Sequence, residues 1–554
     1  MSESQQYRDG LPPSTDPASC RTLACHALAV IGLALALQAV AIVTTHGYDS
    51  DGIVFMWNAQ DLAEGDLDTP MLLRKPLLYP LLIAGGVACG LPAEAAASIV
   101  NVLAGTLAAV IVWRLGLELG DRLKALIAGL FTASLAPLVN SAGRALDTSL
   151  HVALFAGLML AVVIGIRRKG LWPMLAAGLC LAGLTALRFE GAVAVVPVLL
   201  AIGFRSGWRL WRDLRWKIPA AVLVIGPMCL GVVAYGLLTK RQVGDFMMMP
   251  PAMARTIERP NIPEDLIEDE GPGSRNEPPT TAQRREALRR IFIPSVSVLA
   301  GRLGNMGLMF MKASAYVFTL LGAIGLFVRL ATRSWRRGEG VLLLMLLWVP
   351  LALAPITGGT MRYMLPLAPV ALWWSASAVT GWGRLWARTI PRGKALACGL
   401  LAALVIGAQI PWIAQPKQTQ GRARRAVGRF IEADAATRGI APEALTVAAP
   451  VPQFAWYADA RWVEIVTFDS GAWRSLPEFL EVARYFDAQY LVVEMWNVNT
   501  PRKDMFYRFD ETLPTTNLEF LKAFDETALR GDVDDRGPQW IRVYRIPERT
   551  PSSE

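Results

Sequence analysis

Charge is scarce in this chain. Only 18% of its 554 residues are Asp, Glu, Lys or Arg, whereas 53% are hydrophobic. Soluble domains carry more charge and less apolar surface, so an ordinary water-soluble globule is excluded. Cysteine is also spare. Cys20, Cys25, Cys89, Cys180, Cys229 and Cys398 lie before, in or beside apolar runs, and the large polar segments hold none. That excludes a disulfide framework and a cysteine-based metal site. The N-terminus lacks the short apolar core and cleavage site of a signal peptide. The polar C-terminal region lacks a glycine-rich phosphate loop, which argues against a nucleotide site. No internal repeat is visible.

What is present is a succession of apolar runs, near 27–44, 94–113, 123–139, 148–166, 171–187, 190–204, 218–238, 305–328, 341–356, 363–380 and 395–413. About 20 residues suffice to cross a bilayer, so the pattern predicts about eleven transmembrane helices. The net charge of +9 invites a nucleic-acid partner. Its location argues otherwise, because Lys and Arg cluster in short loops between apolar runs. Arg167 to Lys169, Arg205 to Lys217, Arg329 to Arg337 and Arg384 to Lys394 all fall on one side of an eleven-span chain. The positive-inside rule makes that side cytoplasmic.

This topology predicts a disordered cytoplasmic tail over 1–25 and a transmembrane domain over 26–413. Its outer loops are 45–82 and 239–304. The second of these contains Phe246-Met247-Met248-Met249-Pro250, a patch suited to interfacial anchoring or to a lid over a lipid chain. Residues 414–554 form an outer α/β domain in this scheme. Short apolar strands near 446–449, 462–468, 490–495 and 540–546 alternate there with helical stretches, one of them Leu476–Phe486.

The candidate chemistry lies on the outer side. Asp49 and Asp51 precede a helical pattern of Phe55, Ala59 and Leu62. Asp51 fits a helix N-cap, and the two carboxylates also fit a general base or a divalent-cation site. Arg74 and Lys75 run into Pro76, Tyr79 and the Leu77–Leu82 segment. Cations there meet lipid head groups and water, or grip a phosphate. Arg144 and Asp147 have the spacing of a local ion pair. Arg188 and Glu190 sit at an otherwise apolar corner, where charge is costly unless paired or facing a polar cavity. Arg362 and Tyr363 open another span, where a lone arginine is commonly a snorkelling anchor.

In this order the motifs resemble those of the GT-C membrane glycosyltransferases. The resemblance is to the bacterial relatives of protein O-mannosyltransferases and aminoarabinose transferases, over residues 27–413. Where that family often has Lys-Pro-Pro, this chain has Lys75-Pro76-Leu77. The resemblance implies a polyprenyl-phosphate-linked sugar donor, used at the outer face of a bacterial inner membrane. It also implies inverting transfer to a glycan, lipid or protein acceptor. Asp51 matches the acidic position of the first outer loop, with Asp49 as its alternative, and Asp147 matches the second acidic position. Lys75 matches the basic residue before the Pro-Leu-Tyr block, with Arg74, Arg188 and Arg362 as further phosphate ligands. Glu190, Tyr79, Tyr363 and Arg144 support them. Asp49 and Asp51 permit a metal without requiring one. A secondary transporter or lipid flippase is the competing class, with a non-catalytic assembly protein as a third.

Overall fold

The computed structural model describes residues 17–66, 76–204, 213–243, 296–332, 337–354, 361–386, 393–417, 420–464, 480, 483–494, 518–525 and 540–547. Helices dominate. In chain order they are α1 (Pro17–Thr44), α2 (Ser50–Glu64), α3 (Leu78–Ala88), α4 (Ala93–Glu118), α5 (Arg122–Ala133), α6 (Ala136–Asn140), α7 (Thr148–Arg168), α8 (Leu171–Leu187) and α9 (Val195–Gly203). Then come α10 (Leu214–Val243), α11 (Val296–Ala313), α12 (Val317–Ala331), α13 (Arg337–Leu353), α14 (Met361–Met364), α15 (Ala368–Trp386), α16 (Gly393–Gly407), α17 (Ile410–Ala414), α18 (Gln420–Thr437) and α19 (Gln453–Tyr457). Contacts divide the chain into two compact units. One contains Met1–Ala41, Asn58–Ala142 and Leu146–Ala414, and the other Ile42–Trp57, Gly143–Ala145 and Gln415–Glu554.

The first unit is helical and turns the soluble pattern inside out. Large aliphatic side chains such as Leu230 and Leu404 are 71% and 70% exposed, as a lipid-facing surface requires. Its helix contacts use small residues, which let backbones approach closely. A Cβ on Gly116 would sit 2.6 Å from the Cα of Ala125, and one on Gly325 would collide with the Trp374 carbonyl. Five helical segments are long and apolar enough to span a membrane: Cys20–Thr44, Ala93–Glu118, Thr148–Arg168, Leu214–Leu237 and Ala395–Ala414. Two bent pairs raise the count to as many as seven among the described residues. Among the described residues this count is below the eleven predicted spans. Leu171–Leu187, Phe189–Gly203 and Gly338–Leu353 are shorter apolar helices. The run predicted over 305–328 is not one rod. The chain turns by 105° between α11 and α12, where Ala315 and Tyr316 adopt φ of 53° and 34°. Leu78–Ala88 is an apolar helix that starts inside the 45–82 stretch that the sequence assigns to an outer loop.

The second unit holds a five-stranded sheet of order β2-β1-β3-β5-β4. The strands are β1 (Thr446–Ala449), β2 (Arg461–Glu464), β3 (Tyr490–Glu494), β4 (Glu519–Asp525) and β5 (Trp540–Arg545). β1 pairs in parallel with β2 and β3, whereas β5 is antiparallel to β3 and β4. Helix α18 buries Ala423, Val427, Ile431 and Ala435, spaced one turn apart, against Val447, Val492 and Val543. Its Asp434 accepts from the Tyr490 hydroxyl at 2.6 Å and from Arg545 at 3.0 Å, tying helix to sheet. Strand β4 has no counterpart in the sequence prediction, and most of the predicted helix Leu476–Phe486 lies outside the described residues. The start of the loop assigned to the membrane domain clusters with this unit instead. There Thr45 bridges to Lys417, and the His46 amide donates to the Lys417 carbonyl at 3.0 Å.

Candidate active site

In the second unit, polar groups gather at the start of α2. The Asp49 carbonyl accepts the Ile53 amide at 3.1 Å. The cap position therefore belongs to Asp49. Asp51, predicted to be the cap, lies in the first turn, where the helix dipole favours a carboxylate. Arg144 donates to Asp49 through Nε at 2.7 Å and Nη2 at 2.9 Å, a bidentate fork. Gly52 makes this approach possible, since a Cβ there would lie 2.7 Å from the Arg144 carbonyl. Gln453 holds the same turn, donating to the Tyr48 carbonyl at 3.2 Å and to Ser50 Oγ at 3.1 Å. Further along α2, the Trp57 ring stacks on Trp462 at 6.2 Å and meets Trp456 edge-on at 5.7 Å.

Two basic groups near this turn are perturbed. Partial desolvation, reinforced by Arg422 and Arg425, pushes the His46 imidazole below its ordinary value. Burial and the charge of Arg144 lower Lys417 to about 8.

In the first unit a second polar cluster is more deeply enclosed. Asp147 is 3% and Arg188 8% exposed. Arg188 donates to both carboxylate oxygens, through Nε at 2.8 Å and Nη2 at 2.5 Å. The predicted local pair of Arg144 with Asp147 does not form. Ala145 has φ of 52°, so the two side chains never share a helical face, and each finds a distant partner. The Arg188 guanidinium lies over the Tyr363 ring at 5.5 Å, and that of Arg362 over the same ring at 5.6 Å. Glu190 is near enough to act electrostatically on Arg188 and Tyr363. Fully buried Tyr79 lies in the field of Asp147 and reaches Asn101, which donates to the Ser141 carbonyl at 3.1 Å.

The predicted residues are thus gathered in two places. Asp49, Asp51 and Arg144 belong to the second unit, and Tyr79, Asp147, Arg188, Glu190, Arg362 and Tyr363 to the first. Arg74 and Lys75 lie outside the described residues. Arg188, predicted as a phosphate ligand, is instead committed to Asp147. Sequence reasoning missed Asn101, Gln453 and buried His151, whose amide donates to the Asp147 carbonyl at 3.0 Å. Asn101 and His151 had a usable signal, being polar side chains inside apolar helices. Gln453 had none, because its partners are 403 and 405 residues away. Among the described residues no three His, Cys, Asp or Glu side chains gather as metal ligands. Asp49 gives both oxygens to Arg144.

No family model matches the sequence, and no curated protein is similar to it. Solved structures do match in shape. The oligosaccharyltransferase of Archaeoglobus fulgidus in its apo form is 13% identical over 85% of this chain and 69% of its own, with a TM-score of 0.53. ArnT from Cupriavidus metallidurans in the apo state is 12% identical over 93% of this chain and 97% of its own, with a TM-score of 0.52. The same ArnT bound to undecaprenyl phosphate gives 14%, 93%, 97% and 0.52 respectively. Both proteins are GT-C glycosyltransferases. With its apolar helices and small sheet, the chain shares the GT-C fold of these two proteins.

Proposed function

We propose that this protein transfers a sugar from a polyprenyl-phosphate donor to an acceptor at the outer face of the inner membrane, with inversion. In this topology the N-terminus is cytoplasmic and the sheet unit extracytoplasmic. The observation that supports the reading most is the likeness over 93% of the chain to a GT-C enzyme whose solved form holds undecaprenyl phosphate. The chain's own residues fit the chemistry. Both oxygens of Asp49 accept from Arg144, and Asp51 takes the role of general base, removing the acceptor proton as the acceptor attacks the anomeric carbon. A positioned base is worth ~10²–10⁴-fold. The bond to the donor phosphate breaks on the opposite face, and negative charge grows on the departing phosphate. Lys75 and Arg362 take that charge, at a surface where poor solvation strengthens each contact.

Purified protein in detergent, given a radiolabelled polyprenyl-phosphate sugar, should move label to a cell-envelope acceptor. Asp51→Asn should lower turnover ~10²-fold or more while donor binding and unfolding temperature hold. Near-normal turnover in that variant would remove Asp51 from the base role. Release of intact donor across a vesicle without sugar transfer would favour a transporter.

A further inference from the structure

Asp147 and Arg188 neutralise one another, yet both have features that a simple structural pair does not need. Asp147 stands at the N-cap position of α7 but makes no side-chain cap to that helix. Both of its oxygens go to Arg188. Arg188 in turn lies 5.5 Å from the centroid of the Tyr363 ring, and Arg362 lies 5.6 Å from the same centroid. The negative face of an aromatic ring attracts a guanidinium. Two bare cations sharing one ring would also repel each other. Asp147 cancels the charge of one of them, which leaves Arg188 as a neutralised, immobile plate against the tyrosine.

Arg362 needs such an anchor. It is exposed and belongs to α14, a helix of four residues. So short a helix has no stability of its own, and tertiary contacts must fix the direction of its side chains. The anchoring side is buried and doubly hydrogen-bonded, and the outward side ends in a cation.

Resting on the transferase reading above, we propose that Asp147, Arg188 and Tyr363 form a positioning stack. The stack presents Arg362 to the donor phosphate, and Asp147 acts through it instead of exchanging protons. Asp147 and Arg188 are then positioning residues, and Arg362 alone of the four meets the substrate.

The test measures binding of undecaprenyl phosphate by the purified full-length chain in detergent, together with its unfolding temperature. Tyr363→Leu should weaken binding about fivefold, the upper end for an exposed cation held over a ring. Tyr363→Phe keeps the ring but loses the hydroxyl that Arg362 also hydrogen-bonds, and should recover part of that loss. Arg362→Ala should cost little further in the Tyr363→Leu background, because the two act in series. The swap Asp147→Arg with Arg188→Asp restores an ion pair but moves the guanidinium off the ring. It should recover unfolding temperature without recovering affinity. Wild-type affinity in Tyr363→Leu, or recovery of both quantities in the swap, would overturn the stack and leave the transferase reading standing. Failure of the wild-type chain to bind undecaprenyl phosphate would overturn both.

Discussion

Helix α7 has an ionic cluster at each end, and the two differ in what they do with charge. At its start, Asp147 and Arg188 form a one-to-one buried pair whose arginine leads through Tyr363 to an exposed arginine. At its finish, about 30 Å away along the helix axis, one carboxylate faces several cations. Glu118 receives Arg114 and Arg168 at 2.7 Å, with Arg167 at 3.7 Å. Nearby, Arg329 pairs with Glu339 in full burial, and Trp373 also donates to Glu339, at 3.2 Å. Lys124 is 4% exposed, bridges to Asp121 at 3.7 Å and lies over the Trp373 ring. The basic end knots helix termini together, and cations suit the C-terminal ends of α4 and α7. The other end lines its charges in a row. Similar residue types therefore give an anchor in one place and a directed cation in the other.

The largest effect should come from removing one partner of a buried pair. Arg329→Leu or Glu339→Leu alone leaves one buried charge without a partner, at a cost of ~3–5 kcal/mol, whereas the double Leu variant should regain most of that loss. Sugar transfer should survive in this double variant. The matching double replacement of Asp147 and Arg188 by Leu should regain stability equally but leave transfer lowered by about as much as Tyr363→Leu does. Thermal unfolding and turnover measured on both doubles separate the two ends. Equal turnover in the two would erase the distinction.

A smaller effect is expected for Glu118→Gln. Three arginines then lose their shared negative charge, but two of them are 39% and 58% exposed and so are largely screened. The cost should be ~1–2 kcal/mol, read as a fall in unfolding temperature with KM for the donor unchanged. A raised KM would show that the basic end also reaches the donor.

The smallest effect concerns the sheet unit. Partial burial pushes Asp434 up, but hydrogen bonds from Tyr490 and Arg545 outweigh it and hold the carboxyl below its ordinary value. Its contribution is therefore present above the ordinary carboxylate range and is lost as pH falls through the lowered value. Asp434→Asn should flatten the acid limb of the unit's unfolding, followed by tryptophan fluorescence. An unchanged limb would assign acid sensitivity to other groups.

Much of the helical unit was legible in the sequence because lipid imposes a one-dimensional rule. Apolar runs must be long, and most of the predicted ones are helical. The rule fails where length alone misleads, as at Ala315 and Tyr316, whose left-handed backbone bends a run that composition reads as continuous. The sheet was legible in part. β1 and β3 are short apolar runs, whereas β4 has the burial pattern of an edge, with exposed Glu519 and Phe520 and little hydrophobic signal.

By itself the sequence determined the class of molecule, the residue types available for chemistry and the regions in which they lie, since hydropathy and local charge act over neighbouring residues. Only the tertiary structure decided who pairs with whom. Arg144 chose Asp49 across 95 residues and Arg188 chose Asp147 across 41, because partially buried charges take whichever partner the packed backbone brings within hydrogen-bonding distance, and sequence spacing does not measure that distance.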